Sequence, residues 1–492
     1  MTNAIMKIEK FELCGYVADI AVSFMPENKV DSPRISIIFE GSDEDRRIPM
    51  KTELKDGKII GFGKYDTSQV FYGTTPKQVK ISFVFSDAMD NGKRYDTDLS
   101  VDGIKRRRFL NFIKQTKHEK IKTFVDIALN TLTLPFRTLP IKKNRISFFS
   151  NRTDKPTGNL KAVYDAVGDI PNADIRLVCK KGGAKGTLGV LFKFLHLYMT
   201  SRVVFVDDYY HLISYVKKKK NTKLIQLWHG CGAFKTFGFS RYHKTSVLEL
   251  YSANHRQYDY CIVSSPDICD FYAEAFGIST KKALPLGSPR CDILSNEEYR
   301  ATKRAEFINE FPHLEGKKLL LFAPTFRGRG NGDCYYPMEK FNIDKVLETL
   351  GEDWAVVVKL HPYLKESVCF DEKNKNRVAE CPNWDINDIL FSTDFLVTDY
   401  SSVIFEAALL EIPMAFLAFD LEEYIAERDF YYDFKYFVPG PIVNTDTEIA
   451  QIAKSGEYDI QKIREFANKA FGSTAGNACK NVRDLTVKLL EE

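Results

Sequence analysis

Two histidines sit where an imidazole could take a proton from a hydroxyl. His229 lies in Trp228-His229-Gly230-Cys231-Gly232, directly after the apolar run Leu224-Ile225-Gln226-Leu227 and within a turn loosened by glycine. His361 lies in Lys359-Leu360-His361-Pro362, after Ala355-Val356-Val357-Val358. The ordinary imidazole pKa, near 6.5, suits general-base chemistry at neutral pH. One histidine after a strand is more often structural. Two at equivalent places in separate series shift the balance toward chemistry, because ligands of open α/β sheets bind at the carboxyl ends of strands.

Phosphate-binding types occupy similar settings. Arg290 ends Gly287-Ser288-Pro289-Arg290, and Ala323-Pro324-Thr325-Phe326-Arg327 follows an apolar run. Guanidinium forks match phosphate oxygens. Thr398-Asp399-Tyr400-Ser401-Ser402 leads from a strand pattern into a helical one holding Glu406, where free N–H groups and two hydroxyls could seat a diphosphate. Plain helix capping by Asp399 or Ser401 accounts equally for that motif. The dinucleotide fingerprint G-x-G-x-x-G is absent, and in Gly183-Ala184-Lys185-Gly186-Thr187 the lysine precedes the glycine, unlike a P-loop.

The elements that must position these residues are legible in the apolar pattern. From Arg145 onward, short continuous runs such as Ile146-Ser147-Phe148-Phe149 and Val203-Val204-Phe205-Val206 alternate with helical stretches, and a second series begins after Arg290. Runs of this kind are strands buried on both faces of parallel sheets. The expected fold class is α/β, a pair of Rossmann-like domains over 145–295 and 296–492 whose facing loops enclose a cleft. Residues 1–103 instead show alternating strands separated by Gly, Asp, Asn and Pro clusters, predicting an N-terminal all-β, sandwich-like accessory domain.

Composition sets the remaining bounds. A chain of 492 residues exceeds one hydrophobic core, and 44% hydrophobic with 28% charged residues is that of a folded protein. A net charge of +4 gives no argument for nucleic acid. The ten cysteines are scattered without a C-x-x-C pair, so neither a zinc site nor a disulfide framework is expected. No signal peptide and no run of about 20 apolar residues is visible, which leads to the expectation of a cytoplasmic protein. The linker 104–144 opens with Lys105, Arg106, Arg107, Arg108, Lys114, Lys117, Lys120 and Lys122 against the single acid Glu119, with apolar residues between them at helical spacing. Such a segment, 104–140, either lies on an anionic membrane or packs its apolar face on the protein as a solvated linker helix. The lysine run Lys217 to Lys220 reads as a solvated loop.

Six ordered motifs together resemble the CDP-glycerol glycerophosphotransferase family of teichoic-acid and capsule enzymes. They are Trp228-His229-Gly230 with Phe234-Lys235 and Gly238; Gly287-Ser288-Pro289-Arg290-Cys291-Asp292; Ala323-Pro324-Thr325-Phe326-Arg327; Lys359-Leu360-His361-Pro362; Thr398-Asp399-Tyr400-Ser401-Ser402; and Phe419-Asp420-Leu421-Glu422-Glu423-Tyr424 through Val438-Pro439-Gly440-Pro441. The resemblance implies a GT-B fold and transfer of glycerol phosphate from a CDP-activated donor to a hydroxyl of a cell-surface polymer, with release of CMP. It makes His229 the general base and His361 its catalytic partner, with His361, Arg290 and Thr325 holding the donor phosphates. Ser401 and Ser402 would cradle the diphosphate, and Glu406 would face nucleotide or polyol hydroxyls. Gly230, Gly232, Pro324 and Lys359 join the donor site with their motifs, and Arg327 is added from charge logic.

Many relatives have Thr-Pro-Leu-Lys where this chain has Cys231-Gly232-Ala233-Phe234-Lys235, and Glu406 is commonly Asp, which leaves the donor open between CDP-glycerol and CDP-ribitol. No metal and no cofactor beyond the donor substrate is expected. The expected partners are a lipid-linked or polymeric acceptor and the inner face of the cell membrane, touched peripherally. The competing readings are a GT-B glycosyltransferase using a nucleotide-sugar and a non-catalytic envelope-assembly factor.

Overall fold

The computed structural model describes residues 4–14, 17–26, 33–41, 45–67, 70–71, 77–86, 92–102, 117–182, 188–241, 255–328, 333–364 and 367–492. The chain divides into two units. The first comprises Met1–Arg290, Phe430–Tyr436 and Asn477–Glu492, and the second Cys291–Asp429 and Phe437–Gly476.

In the first unit the chain opens with β1 (Ala4–Cys14), β2 (Val17–Pro26), β3 (Arg34–Glu40), β4 (Asp45–Pro49), β5 (Lys51–Lys55), β6 (Lys58–Asp66), β7 (Gln78–Ser86) and β8 (Lys93–Asp102). They pair antiparallel into two four-stranded sheets, ordered β1-β2-β6-β5 and β4-β3-β7-β8. Period-two burial explains the arrangement. Ala18, Ile20, Val22 and Phe24 of β2 are fully buried and share one core with Ile37, Phe39, Ile81 and Phe83 of the other sheet. The β5–β6 hairpin turns on Asp56 and Gly57, both at positive φ, as a two-residue turn requires.

The sandwich is welded to the α/β part of its own unit by charge. Glu274, in the helix Cys269–Phe276, is fully buried and accepts Arg34 Nη2 at 3.0 Å and Ser36 Oγ at 2.9 Å, with Arg47 Nε at ion-pair distance, 3.2 Å. Arg47 also reaches Asp270 at 3.4 Å. A buried carboxylate with two donors and a second guanidinium beside it is tolerated, whereas a buried arginine without its acid is costly.

The α/β part carries β9 (Lys142–Ser150), β10 (Asp174–Cys179), β11 (Ser201–Val206), β12 (Lys223–Gln226), β13 (Tyr260–Val263) and β14 (Ala283–Pro285). These form a parallel sheet of order β10-β9-β11-β12-β13-β14. The second unit carries β15 (Lys318–Phe322), β16 (Trp354–Val358), β17 (Val378–Glu380), β18 (Phe395–Thr398), β19 (Met414–Leu417) and β20 (Ile442–Val443), also parallel, in the order β17-β16-β15-β18-β19-β20. The latter is the doubly wound order, whose switch point falls between β15 and β18.

The two units depart from the domain bounds expected from the sequence. The final helix, Ala478–Glu491, does not extend the second α/β domain. Val482 and Leu489 bury in the core of the first, and Arg202 Nε donates to Leu489 O at 2.7 Å. Phe430–Tyr436 also belongs to the first unit, where Phe430 packs on Phe234 and Tyr431 N–H donates to Phe234 O at 2.8 Å. Amphipathic periodicity reveals that a segment has a buried face, but not which core receives it. The sandwich and the first α/β sheet likewise fall into one unit, which ends at Arg290, five residues before the expected boundary at 295. Residues 104–116 and the side chains of 117–123, and with them the eight-cation run, lie outside the described residues. Among the described residues no helix is long and apolar enough to cross a membrane.

Replacing Glu274 by Ala removes the buried acid that Arg34 and Arg47 share, leaving Arg47 only Asp270, and is expected to cost about 3–5 kcal/mol, read by urea denaturation. Limited proteolysis should release the sandwich from that variant sooner than from the wild type.

Candidate active site

In the first unit the candidate residues gather after β12. The chain turns at Trp228, whose φ of +54° is a left-handed conformation that costs a bulky residue about 1–2 kcal/mol. Polar side chains hold it there. Trp228 N–H donates to Gln226 Oε1 at 2.8 Å, and Asn159 Nδ2 donates to the carbonyls of Leu227 and Trp228, both at 3.1 Å. Asn159 Oδ1 accepts from Arg290 N–H at 2.9 Å, and Arg290 Nη1 donates to His229 O at 3.0 Å. Asn159 thereby ties the β12 turn to the loop after β14 and sets His229 beside Arg290. Gly232, at φ +64°, donates its N–H to Ser264 Oγ and accepts Tyr272 Oη at 3.0 Å. Gly230 needs no special φ, and a Cβ there would meet nothing nearer than 3.9 Å.

The His229 side chain is about one-third exposed, and its Nδ1 lies 3.8 Å from Asp208 Oδ2. Burial pushes its pKa down, to about 4, with the Asp208 carboxylate and a hydrogen bond to the Asp207 backbone opposing and the Arg152 and Arg290 cations reinforcing the shift. His229 is therefore neutral at physiological pH and able to accept a proton.

In the second unit the loops after β15 and β18 meet at the switch point, and Asp399 joins them. Its carboxylate is fully buried. Oδ1 accepts Thr325 N–H at 2.8 Å, the Thr325 hydroxyl at 2.9 Å and Tyr400 N–H at 2.6 Å, and Oδ2 accepts Arg327 Nη1 at 2.8 Å. Arg327 is itself 7% exposed and binds Asp420 through Nε at 2.6 Å and Nη2 at 2.9 Å. Its guanidinium lies 5.0–5.4 Å from the rings of Tyr336, Tyr400, Phe419 and Tyr424. The two carboxylates raise its pKa further against the cost of burial.

Arg327 and Thr325, expected from the sequence to serve the donor phosphates, both have acidic partners within the chain. The Thr325 hydroxyl proton and N–H are committed to Asp399, and Arg327 is committed to two acids, so both act as struts beneath the loop. Pro324 is buried beside them. Lys359 donates to Pro382 O at 2.6 Å, and burial lowers its pKa. His361 Nδ1 accepts Tyr363 N–H at 3.2 Å, which puts the ring proton on Nε2 and makes that atom a donor. Ser401 Oγ accepts Val403 N–H at 3.4 Å and keeps its own proton for donation. Ser402 makes no side-chain capping bond. Both serines are partly exposed at the start of the seven-residue helix Val403–Leu409. Glu406, read from the sequence as facing ligand hydroxyls, is fully buried.

Sequence reasoning passed over Asn159, Asp208 and the true role of Asp399. The one available signal was an Asp directly after a buried strand at a switch point, which looks the same as an ordinary cap.

Residues 132–488 match the family described as CDP-glycerol:poly(glycerophosphate) glycerophosphotransferase. The chain belongs to this family. It is 37% identical over 360 residues to a teichoic acid poly(ribitol-phosphate) polymerase of Bacillus spizizenii, covering 73% of this chain and 58% of that protein. It thus spans less than two thirds of that relative. It is 28% identical over 326 residues to a teichoic acid glycerol-phosphate primase of Bacillus subtilis, covering 65% of this chain and 81% of the primase. A solved structure of the wall teichoic acid polymerase TagF superposes with a TM-score of 0.58 at 22% identity, over 78% of this chain and 99% of that one. That likeness is one of fold.

An Arg327→Lys substitution keeps the charge but loses the bidentate contact with Asp420. It is expected to lower the thermal unfolding midpoint, and Asp399→Ala is expected to cost about 3–5 kcal/mol. An unchanged midpoint with weakened donor binding in Arg327→Lys would return that residue to the ligand set.

Proposed function

We propose that this protein transfers a polyol phosphate from a CDP-activated polyol to a hydroxyl of a teichoic-acid-like polymer and releases CMP. The observation that carries the proposal is the neutral His229, held in a strained and clamped turn beside Arg290, in a chain that belongs to the glycerophosphotransferase family. The acceptor hydroxyl gives its proton to His229. Its oxygen bonds to the phosphorus bearing the polyol as the bond from that phosphorus to the CMP oxygen breaks. His361 Nε2–H, the Ser401 and Ser402 hydroxyls and the Arg290 guanidinium serve the donor phosphates, where charge grows on the leaving CMP. The two parallel sheets are the two halves of a GT-B transferase in this reading, supported by their strand orders.

Ribitol phosphate is the favoured cargo over glycerol phosphate. The relative named for ribitol phosphate is 37% identical, whereas the one named for glycerol phosphate is 28% identical. CMP release from CDP-ribitol, CDP-glycerol and UDP-sugars, with product mass, tests this. Turnover with UDP-sugars alone would replace the reading with that of a glycosyltransferase. His229→Ala should lower kcat about 10²–10⁴-fold and leave donor affinity within about threefold.

Catalysis without a metal is part of the proposal. The acids after β18 and β19, Asp399 and Asp420, are taken up by Arg327 and by N–H and O–H donors, so they are poorly placed to ligate an ion. Turnover should survive dialysis against a chelator, and rescue by magnesium alone would overturn it.

Peripheral attachment to the inner membrane face is supported by the helix Lys117–Leu132 and the short helix Leu134–Arg137 after it. Phe124 and Ile127 are 72% and 58% exposed, and Leu134 is exposed as well. Binding to anionic vesicles should fall with salt and disappear on deletion of 104–140.

A further inference from the structure

Asp208 is held in place from several directions. Its backbone carbonyl accepts Gln226 Nε2 at 3.1 Å, and the other end of the same amide, Oε1, accepts Trp228 N–H at 2.8 Å. One side chain thus spaces the loop after β11 from the turn that carries His229. Asp208 Oδ1 accepts Tyr209 N–H at 2.6 Å, which fixes the carboxylate rotamer, and the following residue is anchored through Asn151 Nδ2 on Tyr209 O at 2.8 Å. The other oxygen, Oδ2, lies 3.8 Å from His229 Nδ1 and 3.6 Å from Arg152 Nε. The gap to the imidazole is longer than a hydrogen bond and within ion-pair range. Catalytic hydrogen bonds commonly tighten when substrate arrives.

The charges around the ring explain why such a carboxylate is needed. Arg152 after β9 and Arg290 after β14 both face His229, and both disfavour an imidazolium. Asp207, the buried neighbour at the end of β11, has its carboxyl pushed up to about 6 by burial. A base that takes a proton here would develop positive charge near two cations; the Asp207 backbone also bonds the ring, and Asp208 is the acid whose carboxylate oxygen lies beside Nδ1.

We propose that Asp208 is the positioning carboxylate of His229. It holds the ring with a proton on Nδ1, leaves Nε2 as the atom that accepts the acceptor's hydroxyl proton, and offsets the imidazolium charge while transfer proceeds. This rests on the reading of His229 as general base. The role is separate from binding the donor, because Asp208 is itself an anion and would repel a diphosphate.

The test uses the full chain with Asp208→Asn, which keeps shape and removes charge. With the favoured CDP-polyol, kcat should fall by at least about 10²-fold and the donor KM should stay within about threefold. The rate depends on neutral His229, so activity rises with pH through the pKa of that ring. Removing the anion lowers the pKa, and the acid-side inflection of kcat/KM should move to lower pH. Arg152→Gln removes a cation and should move it to higher pH. If Asp208 were merely structural, Asp208→Asn would lower the unfolding midpoint and leave the acid-side inflection where it is in the wild type.

NMR titration of labelled histidine rings, assigned with His229→Gln, reads the same coupling without turnover. A His229 ring that titrates identically in the wild type and Asp208→Asn overturns the proposal. Absence of transfer by the wild type with every CDP-polyol, alongside a shifted His229 titration, would sink the transferase reading and leave the pair standing.

Discussion

The loop chemistry of the second unit depends on one buried carboxylate. Asp399 stands at the end of β18 with no solvent access, and an ionised acid is stable there only when its lone pairs are filled. Two backbone N–H groups, a threonine hydroxyl and a guanidinium fill them. Because Thr325 and Arg327 come from the loop after β15, satisfying Asp399 also determines where that loop runs. Arg327 then needs a second anion, and Asp420 provides it with both oxygens, while the Tyr400 hydroxyl donates to the same acid. The result is a rigid floor at the switch point of the sheet, above which Ser401 and Ser402 keep donor capacity.

The first unit solves a related problem with neutral groups. A tryptophan at positive φ stays put only when its surroundings over-determine it. Gln226 and Asn159 do so through amide groups aimed at the backbone on both sides of the strained residue. Ring packing of Trp228 on Phe237, with centroids 4.8 Å apart, adds to the hold. The strain places His229 at a semi-buried edge where desolvation keeps it uncharged. In both units the residues that touch no substrate carry most of the geometric burden.

Charge also decides how the N-terminal sandwich is attached. Glu274 sits in a helix of the α/β part, yet its donors Arg34 and Ser36 and its ion-pair partner Arg47 come from β3 and β4. Arg46, next to Arg47, stacks over Phe239 of the same α/β part at 4.7 Å. The sandwich is therefore an integral part of its unit rather than a tethered module.

Strand positions, the α/β class, the antiparallel N-terminal sheets and the family were all legible in the sequence, because each is written in local periodicity or in short ordered motifs. His229 and His361 were placed correctly at strand ends for the same reason, since a histidine following a run such as Leu224-Ile225-Gln226-Leu227 has little choice of location. What the tertiary structure alone decided is which polar groups face one another. Nothing in the sequence pairs Arg327 with Asp399 and Asp420, and the helix Ala478–Glu491 reads as part of the second sheet domain until Val482 and Leu489 are found in the core of the first. Charge and amphipathicity show that a residue needs a partner, but the partner can come from more than 70 positions away, as Asp399 does for Arg327, and only the folded chain brings the two together.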